Sequence, residues 1–396
     1  MPPMIPDDAY AELIRRIREA GVLASCAGLL GWDERTYLPK AGAAHRGEQM
    51  ALLARIGHEM LTAPRIGELL AVVESSNLVT DSETDTAANV REIRRNYDRA
   101  TKLPKDLVEE LARVTTQAQG VWQEARQTNS FGLFRPWLET IIGLKRREAD
   151  CIGFADHPYD ALLDEYEPGA RTVEIRRLFA ELTTGLVPIV EAIAGSNKRP
   201  DRDLPHREFP VDRQEEFAKS AAAAIGFDFN AGRLDTTSHP FCSDIGPGDC
   251  RITTRYNPRF FNEAFFGVLH EAGHGLYEQQ LPAERHGTPL GTAVSLGIHE
   301  SQSRLWENQV GRSRPFWEHF FPRARAVFPA LADADLNQWL FAVNDVRPSF
   351  IRVEADEATY NLHIILRFEL EQALMTGDLA PPDVPAAWND KFRQLL

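Results

Sequence analysis

The chain has 396 residues, 43% of them hydrophobic and 26% charged, an ordinary globular composition with material for a large core. Its formal net charge of −14 repels nucleic acid and anionic membrane surfaces, which argues against either as the main partner. The N-terminus shows no basic stretch followed by an apolar run, and no apolar run approaches the roughly 20 residues that span a bilayer. The four cysteines, Cys26, Cys151, Cys242 and Cys250, lie scattered without CxxC spacing, which suits a reducing cytoplasm.

Asp7–Leu30 sets Leu13, Ile14, Ile17, Val22 and Leu23 close to a 3.6-residue period and predicts a helix. Lys105–Arg126 begins just after Pro104 and places Leu107, Leu111, Val114 and Val121 on one side; Thr172–Ala194 and Gln214–Ile225 read the same way. Ser196–Asp212, rich in Pro, Arg and Asp, predicts a surface loop. His239–Asn257 is rich in Pro, Gly, Thr and Ser, and its β-prone segment Arg251–Tyr256 predicts a loop leading into one or two short strands. Pro315–Asp345 and Ile351–Met375 read as long helices, and Val384–Leu396 as an amphipathic helix that stops without a Gly or polar cap. No internal repeat or flexible linker divides the chain, so the expectation is one large, mainly α domain over residues 1–396.

Phe265-Phe266-Gly267-Val268-Leu269-His270-Glu271-Ala272-Gly273-His274 carries the pattern H-E-x-x-H after an apolar run. On a helix, residues i and i+4 share a face, so two imidazoles at this spacing can reach one metal ion while the intervening Glu serves as a base toward water. His58-Glu59 lacks the second histidine and reads as a surface dipeptide. A catalytic zinc keeps three protein ligands and an open position, so a third ligand must come from elsewhere. The turn-rich stretch Leu281–Gly297 lets the chain double back into a helix from about Ile298 to Val310, with Glu300, Arg304 and Glu307 on one face. Glu300 is the favoured candidate for the third ligand, and on spacing alone an i,i+4 ion pair with Arg304 is an equal reading of it. His286 and His299 are rivals, although His299 projects about 100° away from Glu300 on a helix.

Further segments accompany this pattern. Leu30-Gly31-Trp32-Asp33, Thr36-Tyr37-Leu38-Pro39 and Tyr159–Gly169 precede it, and Asp249-Cys250-Arg251-Ile252-Thr253 lies just ahead of it. His299-Glu300-Ser301-Gln302 and Ile351-Arg352-Val353-Glu354-Ala355-Asp356 follow. In this order they resemble the D-x-R-x-T, HExxH, H-E-S-Q and [IV]-R-x-x-A-D motifs of the carboxypeptidase Taq family of metallocarboxypeptidases. The family's further motif G-x-x-Q-D-x-H-W does not occur here, and the sequence stops soon after Trp388-Asn389, so the chain reads as a member lacking a C-terminal segment.

The resemblance implies a mainly α, zincin-type helical fold with a deep groove and a small β-sheet near the metal helix. It implies zinc, with cobalt or manganese as substitutes, held by His270, His274 and Glu300. It also implies release of single residues from peptide C-termini, a homodimer and a cytoplasmic location. Glu271 is expected to act as general base in metal-assisted amide hydrolysis. A planar guanidinium suits a terminal carboxylate. Arg352 is the first candidate for that clamp and Arg251 the second, with ion pairing to nearby acids, such as Arg352 with Asp356, as the alternative. Asp249, Thr253 and Asp356 are expected around the site or cleft. A helical oligopeptidase that cuts internally, or a non-catalytic zinc-binding member, are the competing readings.

Overall fold

The structure, a computed structural model, describes residues 4–396. Its helices in chain order are α1 (Pro6–Thr36), α2 (Ala43–Leu61), α3 (Pro64–Glu74), α4 (Asp85–Lys102), α5 (Lys105–Gln127), α6 (Phe131–Ile152), α7 (Pro158–Tyr166) and α8 (Thr172–Gly195). After them come α9 (Val211–Ala224), α10 (Phe261–Gln279), α11 (Leu296–Arg304), α12 (Arg314–Val327), α13 (Leu336–Val343), α14 (Glu357–Thr376) and α15 (Val384–Leu395). Three strands, β1 (Gly232–Thr236), β2 (Cys242–Gly246) and β3 (Asp249–Thr254), form one small sheet. The mainly α expectation therefore holds, with the sheet where the Arg251–Tyr256 segment placed it.

The described residues group into two compact units, those up to Ala100 with Pro200–Asn344, and Thr101–Arg199 with Asp345–Leu396. In the first, α10 is the central element. Eleven of its nineteen residues are buried, among them Phe261, Phe265, Phe266, Val268, Leu269, Ala272 and Leu276. One side meets an aromatic cluster: Phe261 lies 4.9 Å from Phe265 and 5.1 Å from Trp339, and Trp317 and Trp339 are 5.1 Å apart, centroid to centroid. Pairs of this kind contribute about 0.5–1.5 kcal/mol each beyond the area they bury. Another side meets the sheet, where β3 runs between β1 (parallel) and β2 (antiparallel). Gly275 makes this approach possible, because a Cβ there would lie 2.5 Å from the Phe227 ring and 3.4 Å from Ile252.

The second unit has its own cores. Leu107, Val114 and Leu144 join α5 to α6, and Val190, Leu362, Ile365 and Leu366 join α8 to α14. Contrary to the sequence expectation, α8 is long and apolar enough to cross a membrane by length and composition, with a mean hydropathy of 1.5. Only Thr172 and Val190 of it are buried; Phe179 meets Phe368 edge to face at 5.0 Å, and Arg176 donates to the Gln372 side chain.

Three boundaries depart from the sequence reading. Pro315–Asp345 is two helices, because α12 ends before Pro329, a 3₁₀ turn covers Pro329–Leu331, and an Asp335/Gln338 capping box starts α13. Ile351–Met375 begins its helix only at Glu357, where the Asp356 carboxylate accepts from the backbone N–H groups of Ala358 and Thr359. Ser196–Asp212 holds a 3₁₀ turn, Leu204–His206, whose Leu204 and Pro205 are buried rather than on the surface.

Candidate metal centre

Helix α10 carries His270 and His274 one turn apart, with ring centroids 5.0 Å from each other. Helix α11 is capped by Ser295, whose hydroxyl accepts from the Ile298 N–H, and it presses against α10 at Gly273. A Cβ at Gly273 would lie 2.6 Å from the Gln302 carbonyl oxygen and 2.7 Å from the Ser303 Cα. Only glycine permits that approach, and the approach brings Glu300 to the two histidines.

Glu300 Oε2 lies 3.3 Å from His274 Nε2 and 3.7 Å from His270 Nε2. Ligand atoms around a tetrahedral zinc, at bonds of about 2.0–2.1 Å, stand about 3.3 Å apart. Among the described residues, His270, His274 and Glu300 are the one group of three with donor atoms within 4.8 Å of one another. Two imidazoles and a carboxylate are a donor set that zinc accepts, so the residues fit the ion. The other sequence reading of Glu300 is also present, since Arg304 Nε donates to its Oε1 at 3.0 Å. One oxygen serves the ion pair and the other faces the histidines.

The chain then passes through a π-helical turn, Leu305–Val310, which carries Glu307. Glu307 Oε2 stands 2.8 Å from His270 Nδ1 and receives Arg304 Nη1 at 2.9 Å. His274 Nδ1 stands 2.5 Å from His299 Nδ1, and His299 Nε2 lies 2.6 Å from Glu278 Oε1. Both ring nitrogens of the rival ligand His299 are thereby engaged. The other rival, His286, packs near Gly246 at the end of β2. Sequence reasoning missed Glu278. It lies one turn beyond His274 on the same helical face, which is the signal that could have found it.

Charges around the site follow from these contacts. Burial pushes the Glu271 carboxyl up to about 7, with Glu300 and Glu307 adding to the effect and His270 opposing it. Burial also opposes charge on Glu300, but the His274 contact and the positive neighbours His270 and Arg304 outweigh it and hold this carboxyl down at about 2. Glu271 is 5% exposed, so the candidate base is sheltered from bulk water.

The remaining sequence candidates lie elsewhere. Arg251 makes a two-pronged pair with Asp249, both bonds 2.7 Å, and its guanidinium sits 4.2 Å above the Trp32 ring. The Thr253 hydroxyl is occupied with the Phe241 backbone, accepting at 2.8 Å and donating at 3.0 Å, which fastens the strand hairpin. In the other unit, Arg352 donates to the Tyr360 hydroxyl and lies over its ring, while Asp356 caps α14 and takes the Arg347 N–H at 3.0 Å.

Comparison with known proteins gives one consistent result. A family profile described as carboxypeptidase Taq (M32) metallopeptidase matches residues 12–396. The chain is 53% identical to thermostable carboxypeptidase 1 of Thermus thermophilus, over 99% of this chain and 79% of that protein. It is 37% identical to carboxypeptidase 1 of Bacillus subtilis, over 98% and 76%. Among solved structures, the M32 carboxypeptidase of Deinococcus radiodurans superposes with a TM-score of 0.93 at 38% identity, covering 98% of this chain and 78% of that one. A Pyrococcus furiosus carboxypeptidase superposes with a TM-score of 0.94 at 34% identity, with the same coverage. With relatives and a family profile along nearly its whole length, the chain belongs to the carboxypeptidase Taq (M32) family of metallopeptidases.

Proposed function

We propose that this metal-dependent carboxypeptidase holds zinc through His270 Nε2, His274 Nε2 and Glu300, and releases single amino acids from peptide C-termini with Glu271 as general base. The observation that carries this reading is the convergence of Glu300 Oε2 on the two imidazole nitrogens at 3.3 and 3.7 Å. Cobalt or manganese are substitutes, since a His₂-carboxylate set accepts several divalent ions. When bound, such an ion supplies Lewis acidity at the scissile carbonyl and lowers the pKa of water there.

The chain's own residues do the rest. Glu271 takes a proton from the attacking water and passes it to the leaving amine nitrogen. Its burial keeps competing water away from that transfer. Arg304, by holding Glu300 Oε1, leaves Oε2 facing the histidines. Arg352 receives the substrate's terminal carboxylate through two parallel N–H donors. It is favoured over Arg251 because its hydrogen-bond partner is the Tyr360 hydroxyl, whereas Arg251 is already paired with the Asp249 carboxylate. A single catalytic domain over residues 1–396 and a homodimer both rest on the family resemblance, and the net charge of −14 supports the absence of nucleic acid and membrane partners. A cytoplasmic location is supported by four free cysteines.

Mass spectrometry of an unblocked peptide incubated with the zinc-loaded chain tests this. A ladder losing one C-terminal residue at a time, absent with Glu271→Gln, is the expected result. Internal fragments would assign the chain to the oligopeptidases, and an intact peptide with metal bound would mark it as non-catalytic.

A further inference from the structure

An imidazole that offers Nε2 to a metal must carry its proton on Nδ1, and that N–H needs an acceptor to fix both the tautomer and the ring plane. The two metal-facing histidines solve this differently. His270 turns Nδ1 to the Glu307 carboxylate at 2.8 Å. His274 turns Nδ1 to another imidazole, His299 Nδ1, at 2.5 Å. Two ring nitrogens at that distance cannot both donate or both accept. The tie is broken at the far side of His299, where Nε2 lies 2.6 Å from Glu278 Oε1.

A carboxylate only accepts, so His299 donates through Nε2–H. In that tautomer His299 holds a lone pair on Nδ1, accepts the Nδ1–H of His274, and leaves the His274 Nε2 lone pair pointing at the metal position. In the reverse arrangement, His299 would donate from Nδ1 and the proton of His274 would sit on Nε2, where it would block the ion. The rings of His274 and His299 meet edge to edge, their centroids 4.5 Å apart and their planes tilted by 28°, with Tyr277 beside His299 at 5.3 Å. Both partners are sheltered, at 15% and 13% side-chain exposure for His299 and Glu278.

We infer that Glu278 and His299 are positioning residues: a two-member tether that sets the tautomer and orientation of His274 for metal binding. This rests on the reading of His270, His274 and Glu300 as ligands. It goes beyond that reading by giving Glu278 a role in the metal's affinity, although it lies outside the ligand set.

The experiment is zinc affinity of the metal-free full chain, read by competition with a chromophoric chelator, with histidine ¹⁵N spectra of the same samples. His299→Phe keeps an aromatic ring but offers no acceptor, and should weaken zinc about 10–100-fold. It should also give His274 an Nε2–H population that the wild type lacks. His299→Gln, whose side-chain carbonyl can accept, should recover much of the affinity, and Glu278→Leu should lose affinity as His299→Phe does. Wild-type affinity in His299→Phe, or equal losses in the Phe and Gln variants, would overturn the tether while leaving the ligand assignment intact. A wild-type chain that takes up no zinc would overturn the ligand assignment and the tether together.

Discussion

Helix α10 and the segment 347–356 both carry residues proposed to act on the substrate, and they are built in opposite ways. In α10 the chemistry is mounted on packing: Phe265, Phe266, Val268 and Leu269 are buried at 2% exposure or less, and the histidines they carry have little freedom to move. Around Arg352 the neighbours are solvent-facing, with Phe350 85% exposed and Val353 74%. A metal centre needs fixed distances and is held by a core, while a group that must receive a variable peptide sits on an open segment. Mutations should therefore act through metal and stability in the first region and through substrate affinity in the second.

The largest effect is expected in α10. Glu271→Gln should lower kcat/KM by about 10²–10⁴-fold, the range for a positioned acid–base group, with zinc still bound. If metal is lost along with activity, Glu271 supports the site rather than the reaction. Gly273→Ala comes next. Its added methyl meets the α11 backbone at 2.6 Å, so the two helices must part. We expect a cost of about 1–3 kcal/mol, outweighing the gain of about 1 kcal/mol in helix propensity, with weaker zinc binding. Thermal melts of the metal-free and zinc-loaded protein measure both.

The open segment gives smaller and different changes. Arg352→Ala should raise KM about 10–100-fold through loss of a charge-assisted pair worth about 1.5–3 kcal/mol, with zinc affinity unchanged. Steady-state kinetics on a free and a C-terminally amidated peptide separate this from a general defect, since only the free peptide should suffer. Equal loss on both would remove Arg352 as a carboxylate clamp.

The smallest effect lies far from either region. Glu12 bonds Arg65 and Arg16, which hold its carboxyl down at about 2. A depressed carboxylate stabilises the fold above its unfolded value near 4.5 and loses that contribution as pH falls toward 2. The groups are exposed enough for solvent to screen them, so Glu12→Gln should cost no more than about 1 kcal/mol at pH 7, fading below pH 4. Melting curves at the two pH values are the check.

The sequence made some of this legible and not the rest, for physical reasons. His270, Glu271 and His274 are local: helix spacing alone puts the two imidazoles on one face, so no tertiary knowledge was needed. Glu300 needed a long-range contact, set by Gly273 against Gln302, and spacing alone left it level with an Arg304 ion pair. Glu278 and His299 depend on which nitrogen meets which across two helices, and no local pattern encodes that. The strand β1, Gly-Arg-Leu-Asp-Thr, contains one strong apolar residue and is held by its pairing with β3, so periodicity could not reveal it. The breaks at Pro329 and Asp356 were readable in principle from proline and N-cap chemistry, and were passed over in favour of the apolar period around them.

The central claim is that His270, His274 and Glu300 form one metal site, and its most direct test is the zinc content of wild type and Glu300→Ala at equal free zinc. One zinc per chain in the wild type and little or none in the variant is the result expected from Glu300 Oε2 standing 3.3 Å from His274 Nε2. Wild-type zinc affinity in Glu300→Ala would contradict it and send the search for the third ligand elsewhere.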